Sequence, residues 1–207
     1  MDQQLLDAGL WHPVLSLVLA AVVVMGSPGP ATMSVTAIGA AFGLRRSLSY
    51  LSGIILGTSA VLLAIAAGLV SLLLSQPRLA PVLLGLSMAY MIYLAFKIAT
   101  APPLSGFGRE AQAPRFIGGF LLAVANPKAY LAIAAVFTGT TLAVGSRVTE
   151  TMIKTVVLAG MIILIHVAWL IAGSSFARLL HRPGISRVVN LLFAAILLAT
   201  TIPAIIR

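Results

Sequence analysis

Apolar residues run almost without interruption from Val14 to Ala41, and further long apolar runs follow along the chain. A spanning helix needs about 20 such residues. Six segments qualify: 13–38, 48–74, 80–99, 116–143, 154–176 and 187–206. The runs are long and do not alternate between apolar and polar positions, so helices are predicted; open strand edges would have no partner in lipid. The pattern predicts an all-α polytopic membrane protein with 1–207 as a single transmembrane domain. Its halves are about 1–100 and 115–207, joined by the polar linker TAPPLSGFGREAQAPR at about 100–115.

Two of the runs are interrupted. Residues 26–34 read GSPGPATMS, a cluster of helix breakers inside the first segment. The fourth segment carries Asn126-Pro127-Lys128 about eleven residues after Arg115, which at about 1.5 Å per residue lies near the middle of a bilayer core. Each break is followed by a Gly-x-Arg, Gly43-Leu44-Arg45 in one half and Gly145-Ser146-Arg147 in the other. With three spans between them, segments 1 and 4 run in opposite directions. The positions predict a three-plus-three inverted repeat whose halves each begin with a broken helix. Proline and glycine free backbone groups that lipid cannot satisfy, so such breaks belong where protein or water reaches them. Paired broken helices point to the binding site of a transporter.

Composition agrees with the pattern. The chain is 60% hydrophobic and 8% charged, with a mean hydropathy of +1.12, which excludes a soluble domain of this length. Cysteine is absent, which excludes disulfides, thiol relays and thiolate metal sites. The N-terminus, MDQQLLDAGLWH, has no basic residue before the first apolar run, so that run is expected to be retained as a span. The net charge of +9 comes from cations flanking apolar runs, not from a nucleic-acid-binding surface. Arg45, Arg46, Lys97, Arg109, Arg115, Arg178, Arg182 and Arg187 fall on one side; Arg78, Arg147, Lys154 and Arg207 fall on the other. The positive-inside bias then puts both termini on the periplasmic or extracellular side.

The same residues carry a family resemblance. PGP in the first span, the G-x-R-R that follows, and S-G-x-x-x-G from Ser52-Gly53 to Gly57 resemble the LysE/RhtB family of bacterial amino-acid exporters. So do AYMIYLAFKI at 89–98 and FIGGFLLAVANPKAYL at 116–131. The resemblance runs through the whole chain. It implies a secondary transporter of the bacterial inner membrane that exports amino acids or small derivatives. Two positions depart from it: Ala31 stands where members often have Asn, and His166 stands where members often have an acidic residue in the fifth span.

The expected substrate site gathers Pro28, Gly29, Pro30, Ala31, Thr32 and Ser34 from the first break with Asn126, Pro127 and Lys128 from the second. A lysine near the membrane centre is expected to face a cavity or a partner, where it would hold a carboxylate. Amides freed after Pro30 would add to that site at a helix N-terminus. Asn126 offers both a donor and an acceptor to a zwitterion. With one cation and no acid, the site predicts neutral amino acids over lysine or arginine. No Asp or Glu falls within the predicted spans, so His166 is the proton-coupling candidate. Ser27, Thr36, Ser52, Thr58 and Ser59 read as packing residues between segments 1 and 2, with Gly53 and Gly57 as a small-residue pair. The partners expected are an amino acid and the bilayer, with a homodimer as an open assembly; no cofactor, nucleic acid or metal is expected.

Two rival functions remain in view. A metal-ion exporter would need several hard oxygen or thiolate ligands, yet Asp2, Asp7, Glu110 and Glu150 all lie outside the predicted spans. An intramembrane serine hydrolase would pair Ser52 with His166, but a rhomboid-like G-x-S-G would need glycine where Tyr50 stands.

Overall fold

A computed structural model describes residues 3–68, 114–142 and 144–180, with isolated helical positions at 85, 89, 92, 96, 184, 187, 188, 191, 192 and 195. The predicted linker lies outside the described residues, and so do the predicted spans 80–99 and 187–206 apart from those positions. Every regular element among the described residues is helical. In chain order these are α1 (Gln3–Ala20), a π turn (Ala21–Met25), α2 (Pro30–Ala66), α3 (Phe116–Val124), α4 (Pro127–Gly139) and α5 (Arg147–Leu180).

The two expected breaks are present. Gly9–Met25 and Pro30–Ala40 meet at 68°, and Phe116–Val124 meets Pro127–Gly139 at 60°. Each second half-helix opens on a proline in its first turn, where the missing N–H has no helical partner to lose and φ is already set. Among the described residues, the two unbroken stretches long and apolar enough to span are Phe42–Ala66 and Arg147–Ser175.

Helix α2 holds two arms. At Gly43 the backbone takes φ 76° and ψ 171°, a left-handed φ that favours glycine. The Ser47 hydroxyl bridges this corner, 2.7 Å from the Gly43 carbonyl and 3.1 Å from that of Ile38. Arg45 and Arg46 are exposed beside it.

The first arm packs on α5 and the second on α3. Gly53 and Gly119 make the second contact possible: a Cβ on Gly53 would strike Phe116 and Phe120, and one on Gly119 would strike the Tyr50 carbonyl. Gly57 meets Phe120 and Ala123 in the same way. The small-residue pair therefore faces the fourth segment, not the first as expected, because α3 supplies a glycine of its own.

Leu17, Leu62, Ile133, Leu158 and Ile162 form the centre of the larger core cluster, which joins α1, α2, α4 and α5. Large apolar side chains outside it, including Val23, Val148, Val156 and Leu164, are exposed, as a lipid-facing surface requires.

The fifth helix begins at Arg147, earlier than the predicted 154, so Glu150 and Lys154 lie within it. Mutual pairing makes this tolerable. Their charged atoms are 2.6 Å apart, Glu150 accepts the Leu142 N–H at 3.1 Å, and Lys154 donates to the Phe137 carbonyl at 3.0 Å. Lys154 is consequently buried, which its place at the edge of an apolar run does not announce.

Candidate substrate site between the broken helices

Breaking a helix leaves backbone groups without partners, and in lipid each must be satisfied within the protein. At the first break the donors come from two distant segments. The Lys128 ammonium lies 2.5 Å from the Ser27 carbonyl, 2.8 Å from the Ser27 hydroxyl and 2.8 Å from the Pro28 carbonyl. The Trp169 indole N–H donates to the Gly26 carbonyl at 3.1 Å. The N-terminus of α2 caps itself: the Gly29 N–H donates to the Thr32 hydroxyl at 2.9 Å, and that hydroxyl lies 3.1 Å from the Gly29 carbonyl.

The second break is closed by Asn126. Its side-chain oxygen accepts the Lys128 N–H at 3.1 Å, and its carbonyl accepts that of Ala129 at 3.0 Å. This cap fixes the start of α4 and with it the direction of the Lys128 side chain. That chain runs against Gly29: a Cβ there would sit 2.5 Å from the lysine Cδ and 2.9 Å from Nζ. Gly29 is extended, with φ −170°, so what the position demands is space.

A cavity of about 40 Å³ lies where the breaks meet. Its walls are Met25, Gly29, Ala31, Thr32, Thr58, Asn126, Lys128, Ala129, Ala132, Ile133, Ile162, Ile165 and His166. One water needs roughly 10–15 Å³ measured this way, so the cavity as lined by the described residues holds a few waters and must widen to take a larger solute. Among the described residues, no carboxylate side chain is on its walls.

Gly29, Ala31, Thr32, Asn126, Lys128 and His166 are brought together as expected. Pro28 joins them through its carbonyl, and Pro30 and Pro127 act by starting the half-helices. Ser34 is buried but off the cavity wall, its hydroxyl 2.9 Å from the Ala31 carbonyl. Lys128 departs from the simplest expectation, because backbone oxygens of the first break already occupy its ammonium. His166 is buried, with Nδ1 2.7 Å from the Ile162 carbonyl. A carbonyl can only accept, so Nδ1 carries hydrogen and Nε2 is the nitrogen that gains or loses a proton. The serine–histidine pair of the hydrolase reading does not form: Ser52 is exposed, lies off the cavity wall and donates to the Ser49 carbonyl at 2.8 Å.

Two contributors were not foreseen. Thr58 was read as a packing residue, yet it lines the cavity. Trp169 stands three positions after His166, hence on the same helix face; that spacing was the available signal.

Two bent helix pairs, with a lysine of one break bonded across to the other, are the kind of arrangement from which transporters build a binding site. The chain belongs to the LysE type translocator family, whose profile matches residues 22–206. It is similar to the cysteine/O-acetylserine efflux protein of Escherichia coli O139:H28 (strain E24377A / ETEC), at 29% identity over 172 residues, or 83% of this chain and 87% of that one. The proteins of the same description from Escherichia coli K12 and Shigella flexneri are each 29% identical over 171 residues, 83% of this chain and 86% of theirs. No solved structure matches the chain.

Proposed function

We propose that this protein exports small neutral amino acids or close derivatives across the bacterial inner membrane, binding the substrate carboxylate where the two broken helices meet. The observation that carries the reading is the Lys128 ammonium on the Ser27 and Pro28 carbonyls, beside a cavity with no acid among its described lining residues. A carboxylate is a stronger partner for an ammonium than a neutral carbonyl is. Entering substrate exchanges for those carbonyls at Lys128 and meets the first-turn amides of α2 at Ala31 and Thr32, at the positive end of the helix. The exchange loosens the junction between the broken helices, which links substrate occupancy to the widening that the cavity needs.

The name of the similar proteins supports efflux as the direction and a small polar amino acid as the substrate class. The paired bends of 68° and 60° support a three-plus-three inverted repeat of six spans, with both termini outside by the distribution of basic residues. His166 is the group we assign to proton coupling, because it is buried on the same cavity wall and its imidazole can take up and release a proton.

Efflux of a panel of preloaded amino acids, from cells with and without this protein, tests the function. Faster loss of neutral amino acids only when the protein is present is expected. Identical loss across the panel contradicts the proposal.

A further inference from the structure

Three threonines on the described helices are buried: Thr32, Thr36 and Thr58. A threonine in a spanning helix usually returns its hydroxyl to the carbonyl three or four residues earlier. Thr32 lies 3.1 Å from the Gly29 carbonyl, and Thr36 lies 2.8 Å from that of Thr32. The exposed Thr138 and the half-buried Thr155 follow the same rule, with carbonyls four residues back at 2.7 Å. Thr58 does not. Its Oγ1 is buried and has no hydrogen-bond partner among the described residues, and the residue lines the cavity at the breaks.

A buried hydroxyl with no partner is disfavoured, and the ordinary remedy, a carbonyl of its own helix, is not used here. Across the same cavity, His166 commits Nδ1–H to the Ile162 carbonyl, which leaves Nε2 of the neutral ring as a bare acceptor. The wall thus offers a hydroxyl and an acceptor nitrogen in otherwise apolar surroundings of Ile133, Ile162 and Ile165.

We propose that Thr58 is a substrate-reading residue: its hydroxyl, with Nε2 of His166, binds a hydrogen-bonding group of the substrate other than the carboxylate. The inference rests on the amino-acid reading above and extends it from the carboxylate end to the rest of the molecule. The group is either the α-ammonium or a small polar side chain. Both satisfy a hydroxyl paired with an acceptor nitrogen, and both leave Thr58 unsatisfied when they are absent. A site built to hydrogen-bond its substrate discriminates strongly against an analogue that lacks the group.

Counterflow in proteoliposomes tests this with L-serine and L-2-aminobutyrate, which match in size but differ in a hydroxyl against a methyl. KM is measured for wild type, the near-isosteric Thr58→Val, Thr58→Ala and Thr58→Ser. If the side chain is read, KM for serine rises roughly tenfold or more in the two variants lacking a hydroxyl while that for 2-aminobutyrate is unchanged. If the α-ammonium is read, KM for both probes rises alike. In either case Thr58→Ser retains wild-type behaviour. Wild-type KM for both probes in Thr58→Val or Thr58→Ala overturns the inference while the amino-acid reading stands. Failure of wild type to carry either probe overturns that reading and this inference with it.

Discussion

The Nζ of Lys128 lies 2.8 Å from the carbonyl oxygen of Pro28, so a residue of one broken helix completes the hydrogen bonding of the other. The lysine therefore both closes the protein and stands at the place proposed for substrate. Replacing it removes the donor that serves the Ser27 and Pro28 oxygens. Lys128→Met is expected to abolish transport while still reaching the membrane, and to lower stability by about 2–4 kcal/mol through the abandoned acceptors. Lys128→Arg retains more of both properties. Transport assays paired with thermal unfolding of purified protein check this; wild-type efflux by the Met variant would remove Lys128 from the site.

Gly29 gives the lysine its path. Because a Cβ would lie 2.5 Å from the Lys128 Cδ, Gly29→Ala is expected to push the side chain off the break and lower transport at least tenfold. The change acts through Lys128, so the two substitutions should not add: once Lys128→Met is present, Gly29→Ala costs little more. A double-mutant cycle on unfolding temperature reads this directly, and full additivity would show that Gly29 acts on something else.

Substrate charge follows from the cavity wall. A second cation about 6 Å from Lys128 costs roughly 3 kcal/mol at an effective dielectric of about 20, and no carboxylate among the described wall residues offsets it. Competition of unlabelled amino acids against a labelled neutral one should show lysine and arginine weaker by more than tenfold. A preference for lysine would contradict the charge argument.

His166 carries its exchangeable site on Nε2, since Nδ1 is held by the Ile162 carbonyl at 2.7 Å. With an imposed pH gradient across vesicles, wild-type transport is expected to follow the gradient. His166→Gln is expected to lose that dependence and, because Nε2 also faces the substrate, to exchange it with a raised KM. A glutamine variant that answers the gradient as wild type does would release His166 from the coupling role.

Much of this arrangement was legible in the residues. SPGP and Asn-Pro-Lys announce broken helices because proline cannot continue an interior hydrogen-bond ladder, and the bends fall at those positions. That Lys128 points at the other break could not be read, because it depends on how α4 crosses the first break, a tertiary relation with no local signature. The burial of Lys154 was missed for a related reason. A lysine at the edge of an apolar run reads as solvated until its partner Glu150, one turn earlier, is seen to lie in the same helix. Thr58 was hidden by its type: helical threonines mostly satisfy their own backbone, and only the structure shows that this one does not.

The account turns on a carboxylate bound at the junction of the broken helices. The most direct measurement is counterflow in proteoliposomes of purified protein, with a labelled small neutral amino acid and, as competitor, either the same amino acid unlabelled or the amine left when its carboxylate is removed. The amino acid is expected to exchange and to compete, and the amine is expected to do neither. An amine that is carried or competes as well as the amino acid would contradict carboxylate recognition at Lys128 and the first turn of α2.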